Sequence, residues 1–338
     1  MSGLIGHTAY SLVAMKEAKA RGLAIAPIIE RHLPSFLCGA YLGCDIQCMP
    51  EAVCVDTGRE VGFGTVPLEK SPITGGAVKE WFLTHEGRHY RPKELHELFY
   101  GRAHLVFGWA KADVGLRVPW DHLAEYCALA VQDDMGSERS LAYALGWMVH
   151  IVGDSLIKSV QPGIRMHLID GVYTPRNRIV QDQFTFHVIG RELGVDWVKT
   201  FRDMAATPVE SSQPHYMRVA EPRGALARVF DDGWKPEQRP LLEAVLAENR
   251  RWLPHHTQEV LKVVQLTDGK ASADAVRISG GLQHQQMLDI AEAADMRGTL
   301  MTIADECAAL FERVIDLVPA WKALPKVKAE PWNRLRKS

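Results

Sequence analysis

His150 and Asp154 are the two side chains whose types and spacing most directly suggest chemistry. They lie four residues apart in ERSLAYALGWMVHIVGDSLIK, where the apolar residues recur with helical spacing and predict a helix over residues 138–158. Residues four apart lie one turn above each other on the same helix face. A buried carboxylate beside an imidazole is costly unless it is paired or bound to a metal. The pair therefore indicates a metal site, and a metal-free His–Asp pair or a solvated helix face are the alternatives.

Two glycines, Gly146 and Gly153, lie on the same stripe of this predicted helix. A glycine inside a helix costs on the order of 1 kcal/mol relative to alanine. Two glycines on one face therefore indicate that another part of the chain approaches closely there.

A second candidate is the segment His85-Glu86-Gly-Arg-His89, which matches the HExxH pattern of zinc metalloproteases. That pattern works only on a helix, where both histidines share a face. Gly87 weakens a helix, and Pro92 would end it within a turn. The extended form of the motif also needs glycine and histidine where this chain has Pro92 and Leu95. A loop carrying two histidines is the favoured interpretation, with a protease site as the alternative.

The remaining sequence predicts an all-α, multi-helix bundle. Further helices are predicted over residues 2–21, 27–42, 93–112, 120–135, 236–265 and 282–318. The segment AVCVDTGREVGFGTV alternates around Thr57–Gly58 and predicts a small β-hairpin near 52–66. Turn-forming residues after position 205 divide the chain into a metal-binding catalytic domain, 1–205, and a C-terminal helical extension, 206–338, packed on it. His255, His256 and His284 are expected at the surface or at helix caps.

Composition sets the class of protein. The 338 residues carry a net charge of -2 and are 47% hydrophobic, as expected of a globular chain. The charge does not favour a nucleic-acid partner, although a metal could supply positive charge locally. The sequence shows no signal peptide and no apolar run long enough to span a membrane, so a cytoplasmic location is expected.

The segment AYALGWMVHIVGDSLIKSVQP resembles the LGxxxHxxGD…QP segment of zinc-dependent phospholipases C and of the related fungal zinc nucleases. The similarity covers about residues 3–190. An early histidine, an aspartate after a leucine- and glycine-rich segment, and a middle histidine follow in the family's order as His7, Asp45 and His104. His85 is the alternative to His104. The resemblance implies an all-helical fold that holds a cluster of zinc ions.

The chain departs from the family pattern after Asp154. Ile164 stands where the next histidine would fall, and His167 is the substitute candidate. The family then has a histidine followed four residues later by an acidic residue, whereas this chain has Arg178 and Asp182. One metal subsite is therefore altered, and His187 could compensate for the missing imidazole.

The resemblance implies one to three zinc ions. The implied metal ligands are His7, Asp45, His104, His150, Asp154, His167 and Asp182. The implied chemistry is hydrolysis of a phosphate ester or diester, with a small molecule or a lipid as substrate. Asp45 is the candidate for orienting or deprotonating the attacking water, and Arg178 for binding the anionic substrate. The alternative is a non-catalytic helical scaffold with a partial metal site, which the replacement by Arg178 favours.

Overall fold

The computed structural model of the chain describes residues 3–42, 48–58, 76–95, 137–157, 175–207, 239–317 and 319–326. Among these residues the fold is helical, with two small antiparallel sheets, as the sequence predicts. No helix in the described segments is both long and apolar enough to cross a membrane.

The helices of the N-terminal and middle segments are α1, α2, α3, α4, α5, α6 and α7. In that order they span Leu4–Ala20, Ala26–Arg31, Leu33–Leu42, Pro92–Leu95, Glu138–Ile157, Pro175–Phe184 and Trp197–Ala206. The helix α6 continues through a π-helical turn, Thr185–Ile189, into a last turn, Gly190–Glu192. The predicted helix 27–42 is thus two helices, which meet at His32.

The C-terminal helices are α8 (Arg239–Val264), α9 (Ala273–Ile278), α10 (His284–Ala293) and α11 (Met296–Leu317). A 3-10 turn (Pro319–Ala323) follows them. The predicted helix 282–318 is divided between α10 and α11. Asp295 has a φ of 50° at this point, which interrupts the helical backbone.

The β-structure differs in its pairing from the predicted hairpin. Strand β1, Ala52–Cys54, lies where the hairpin was expected to begin, but it pairs antiparallel with β2, Val78–Glu80, further along the chain. Strands β3, Leu83–His85, and β4, Arg88–Tyr90, form a second antiparallel pair. Their turn, Glu86–Gly87, has φ values of 48° and 74°, which match the tight turns that join hairpin strands.

Helix α5 lies at the centre of the fold, and residues 140–154 of it are all buried. It crosses α3 at very short range. A methyl group on Gly146 would overlap the carbonyl oxygen of Phe36, and one on Gly39 would overlap the carbonyl oxygen of Tyr143. The two glycines thus let the two backbones touch, which explains the cost of placing Gly146 inside a helix.

Gly153, the second glycine of α5, leaves the space in which α1 packs. A methyl group on Gly153 would overlap the aromatic ring of Tyr10, a residue of α1. Helix α1 therefore lies against α5 about two turns beyond the crossing with α3, which brings the two helices together near Asp154.

The C-terminal helices pack on this core. The guanidinium of Arg21 binds Asp305 of α11 at 2.8 Å, and the rings of Phe36 and Phe311 meet edge to face with centroids 6.0 Å apart. One continuous set of buried apolar residues runs from α1 to α11. The division at residue 205 stays a prediction.

The crossing gives the first prediction. We expect Gly146→Ala to destabilise the protein by at least about 1–3 kcal/mol, the usual cost of overpacking, because the new methyl group meets backbone rather than a movable side chain. Urea unfolding measures this difference.

The matched control is Gly298→Ala in α11, where the atoms nearest to the methyl group would be those of the Asp295 side chain, which also accepts the amide hydrogen of Gly298 at 3.0 Å. That side chain can move, so the control should lose much less stability. Equal losses in the two variants would show that the crossing is not under steric constraint.

Candidate metal centre

His7, His150 and Asp154 converge on one buried point. His7 lies on α1, and the other two lie on α5. One candidate ligand atom from each lies within 4.8 Å of the other two. The exposed fractions of the three residues are 0%, 0% and 1%. This buried His–His–Asp cluster could hold a metal ion.

The orientation of His150 is fixed by the end of α3. Its Nδ1 lies 2.6 Å from the carbonyl oxygen of Ala40. A carbonyl oxygen only accepts hydrogen bonds, so Nδ1 donates, and in the neutral ring Nε2 carries the lone pair. A backbone carbonyl that holds the far nitrogen of an imidazole is a common support for a metal-binding histidine.

The two oxygens of Asp154 face one imidazole each. Oδ1 lies 3.5 Å from Nε2 of His7, and Oδ2 lies 3.7 Å from Nε2 of His150. Two ligands on one tetrahedral zinc ion, each about 2.0–2.1 Å from it, would lie about 3.4 Å apart. The observed separations are therefore close to those of ligand pairs on an ion.

The two imidazole rings are stacked, with centroids 4.0 Å apart and planes 7° from parallel. A lone pair on Nε2 of either ring would lie in the plane of that ring, so a single ion could not lie in both planes unless a ring turned. Two ions, one held by each imidazole, would need no such movement, and Asp154 has one oxygen facing each imidazole. Metal ions in two-metal sites are about 3.5–4 Å apart, which is similar to the spacing of the rings.

A hydrogen-bonded pair, Tyr41 and His256, lies beside this cluster. The Tyr41 ring centroid is 6.2 Å from that of His7, and its hydroxyl is 2.8 Å from Nε2 of His256. His256 belongs to α8 and is 2% exposed, so the expectation that it lies at the surface is wrong.

The sequence does contain a signal for the burial of His256. A stripe of residues at helical spacing runs along the buried side of α8, namely Leu242, Val245, Asn249, Leu253, His256, Val260 and Val264. The position of His256 within this stripe predicts burial, whereas its neighbour His255 lies off the stripe and is exposed.

Arg178 and Asp182 lie on α6, with Nε of the arginine 3.8 Å from an oxygen of the aspartate. Burial raises the pKa of Asp182 to about 6, against the opposing effects of Arg178 and His256. The Arg178 guanidinium lies against Gly3, where an added methyl group would be 2.5 Å from Nη2. Because the amide of His7 donates to the carbonyl of Gly3, Arg178 lies one helical turn from His7.

His187 lies outside the metal-ligating group that the described residues form. Its Nε2 donates to the carbonyl oxygen of Val264 at 2.8 Å, and its ring meets that of His284 with centroids 4.7 Å apart. Among the described residues, the metal-ligating group contains neither histidine.

The HExxH interpretation is wrong, because His85 and His89 lie on strands β3 and β4 instead of on a helix. His89 is registered with Thr84, and His85 with Arg88. The histidines therefore occupy neighbouring register positions and point to opposite faces of the hairpin. Nor is His85 part of the cluster that the described residues form, so it does not serve as the middle ligand there.

Three predicted site residues, Asp45, His104 and His167, lie outside the described residues, so their roles stay predictions. Comparison with known proteins finds no matching family model, no matching curated protein and no matching solved structure. The similarity to the phospholipase C and nuclease family therefore depends on its motif residues, of which the structure brings together His7, His150 and Asp154.

The geometry predicts how metal content depends on these three residues. If each imidazole serves its own ion and Asp154 serves both, His7→Ala and His150→Ala should each lose one equivalent, and Asp154→Ala should lose both. Bound metal per chain, measured after equilibration with Zn²⁺ and dialysis, tests this pattern, with circular dichroism to verify helix content. Full occupancy in all three variants would rule out a metal site here.

The pKa of Asp182 predicts how stability changes with pH. Between its ordinary value of 3.8 and about 6, the folded chain keeps a proton that the unfolded chain has released. Its stabilising contribution is therefore complete below pH 3.8 and is lost as the pH rises through about 6. The loss is about 3 kcal/mol, at 1.36 kcal/mol for each pKa unit.

The variant Asp182→Asn imitates the protonated side chain, so it should exceed the wild type in stability at pH 8 and match it near pH 4. Urea unfolding in the presence of a chelator measures this difference, with the exposed Asp289→Asn as the control. An equal pH dependence in Asp182→Asn and the wild type would show that Asp182 titrates normally.

Proposed function

We propose that the chain is a metal-dependent hydrolase of phosphate esters or diesters, with zinc as its metal. The observation that carries the proposal is the buried cluster in which each oxygen of Asp154 faces one imidazole, from His7 and from His150. Imidazole nitrogen and carboxylate oxygen suit zinc, so the donor set fits this metal.

Zinc bound there would polarise a phosphoryl oxygen and lower the pKa of a bound water. The chain's own residues would do the rest. The carbonyl of Ala40 keeps the Nε2 lone pair of His150 directed at the cluster. The burial of all three cluster residues excludes bulk water and strengthens the electrostatic interactions there.

Arg178 is the proposed binding group for the substrate phosphate. Its guanidinium carries a fixed charge and can donate two parallel hydrogen bonds to phosphate oxygens. It lies one helical turn from His7, against Gly3, and its side chain is 20% exposed, although its Nε and Nη2 atoms are buried. Asp45 is the proposed group that accepts a proton from the attacking water.

The favoured substrates are small-molecule or lipid phosphate esters. The net charge of -2 gives no support for a surface that neutralises the many phosphates of a nucleic acid. A non-catalytic scaffold with a partial metal site is the second candidate. The observation that favours it is Arg178, because a fixed cation repels a metal from the subsite that Asp182 would otherwise help to form.

Turnover separates the two candidates. The zinc-loaded chain should hydrolyse bis-p-nitrophenyl phosphate, and a chelator should abolish the activity until Zn²⁺ is restored. The scaffold would be favoured if the chain bound metal but hydrolysed none of three compounds, namely bis-p-nitrophenyl phosphate, p-nitrophenyl phosphate and phosphatidylcholine.

The variant Arg178→Gln tests the phosphate-binding role within the same experiment. We expect KM to rise at least about tenfold, since a charge-assisted hydrogen bond contributes about 1.5–3 kcal/mol. Metal content at the His150 cluster should stay at the wild-type level. An unchanged KM would exclude Arg178 from substrate binding, but it would not contradict the proposed metal site.

A further inference from the structure

We propose that His256 is a positioning residue of the metal centre, which acts through Tyr41 on the end of α3 that orients the two metal-binding imidazoles. The inference depends on the proposed metal site, and it assigns to the C-terminal region a direct part in that site.

The contact itself is short and buried. The hydroxyl of Tyr41 and Nε2 of His256 are 2.8 Å apart, and the two residues are 1% and 2% exposed. Their ring planes differ by 15°. A hydrogen bond buried as deeply as this one is costly to break.

The end of α3 has two contacts with the cluster. The carbonyl of Ala40 accepts the Nδ1 hydrogen of His150, and the ring of Tyr41 lies beside that of His7. Ala40 is in the last turn of α3, where the carbonyls have no partner further along the helix. That position leaves its oxygen available to His150, but the last turn of a helix is also where fraying occurs.

His256 is well placed to prevent such fraying, because α8 is held independently on both sides of it. The amide side chain of Asn249 accepts from the backbone of Cys48 at 2.9 Å. The carbonyl of Val264, at the other end, accepts from His187 and from Gln183. The imidazole therefore belongs to a fixed helix, and its bond to Tyr41 transfers that fixed position to α3.

Direct metal binding by His256 is a weaker explanation. Its Nε2 is engaged by the hydroxyl of Tyr41, and the metal-ligating group that the described residues form does not include it. A positioning role fits both observations. Groups hydrogen-bonded directly to metal ligands typically change metal affinity by 10- to 100-fold. His256 acts one contact further away, so we expect an effect near the lower end of that range.

The experiment compares four variants of the full-length chain with the wild type. His256→Leu fills the space without a hydrogen bond, and His256→Gln places an amide near the position of Nε2. Tyr41→Phe removes only the hydroxyl, and His255→Leu is the matched control at the exposed neighbouring position. The probe is Co²⁺, with affinity measured by competition against a chelator and ligand geometry by the visible absorption spectrum.

We expect His256→Leu and Tyr41→Phe each to weaken Co²⁺ affinity at least about tenfold and to alter the spectrum, with His256→Gln closer to the wild type. The double variant Tyr41→Phe/His256→Leu should be no weaker than the weaker single variant, because both changes break one bond. His255→Leu should match the wild type.

Thermal unfolding separates positioning from a purely structural role. A His256→Leu chain that changes Tm but keeps the wild-type affinity and spectrum would overturn the inference while leaving the metal site intact. Losses that multiply in the double variant would also overturn it. A wild-type chain that binds no Co²⁺ or Zn²⁺ would overturn the proposed function together with this inference.

Discussion

The contact between the backbones of α3 and α5 is the constraint on which the rest of the site depends. It exists because Gly39 and Gly146 leave no side chain between the helices. At that distance the carbonyl of Ala40 reaches Nδ1 of His150 one turn further along α5, and so determines which nitrogen faces the cluster. Two residues without side chains thus determine the tautomer and the direction of the His150 imidazole.

The same burial explains why a cation would be favourable at the cluster. Asp154 is removed from water, and its oxygens face imidazole nitrogens at 3.5 and 3.7 Å, longer than a good hydrogen bond. A buried carboxylate is costly without a compensating partner, and a metal ion bound by these groups would supply positive charge. Protons and metals therefore compete for the same lone pairs, so metal affinity should fall in acid.

Local patterns in the sequence were the reliable ones. The helix that carries His150 and Asp154 ends within one residue of its predicted limits, because its apolar spacing depends only on near neighbours. The strand at Ala52 was predicted, but its partner was not, since pairing with Val78–Glu80 depends on how the intervening chain returns. The HExxH interpretation failed because the motif needs a helix to bring its two histidines onto one face. Here Glu86 and Gly87 form the turn of a hairpin instead. The role of His256 was not predicted, although its place in the buried stripe of α8 indicates burial. Its partner Tyr41 lies on another helix, and the pairing of distant helices depends on the whole fold.

The location of His256 also bears on where the functional unit ends. A chain that stopped at residue 205 would keep His7, His150 and Asp154 but would lose the partner of the Tyr41 hydroxyl. The loss of one hydrogen bond of this kind typically costs about 0.5–1.5 kcal/mol. The same truncation would remove Phe311, which packs on Phe36, the residue whose carbonyl lies against Gly146. Both losses act on α3, so the C-terminal helices support the geometry of the cluster through the helix that orients it.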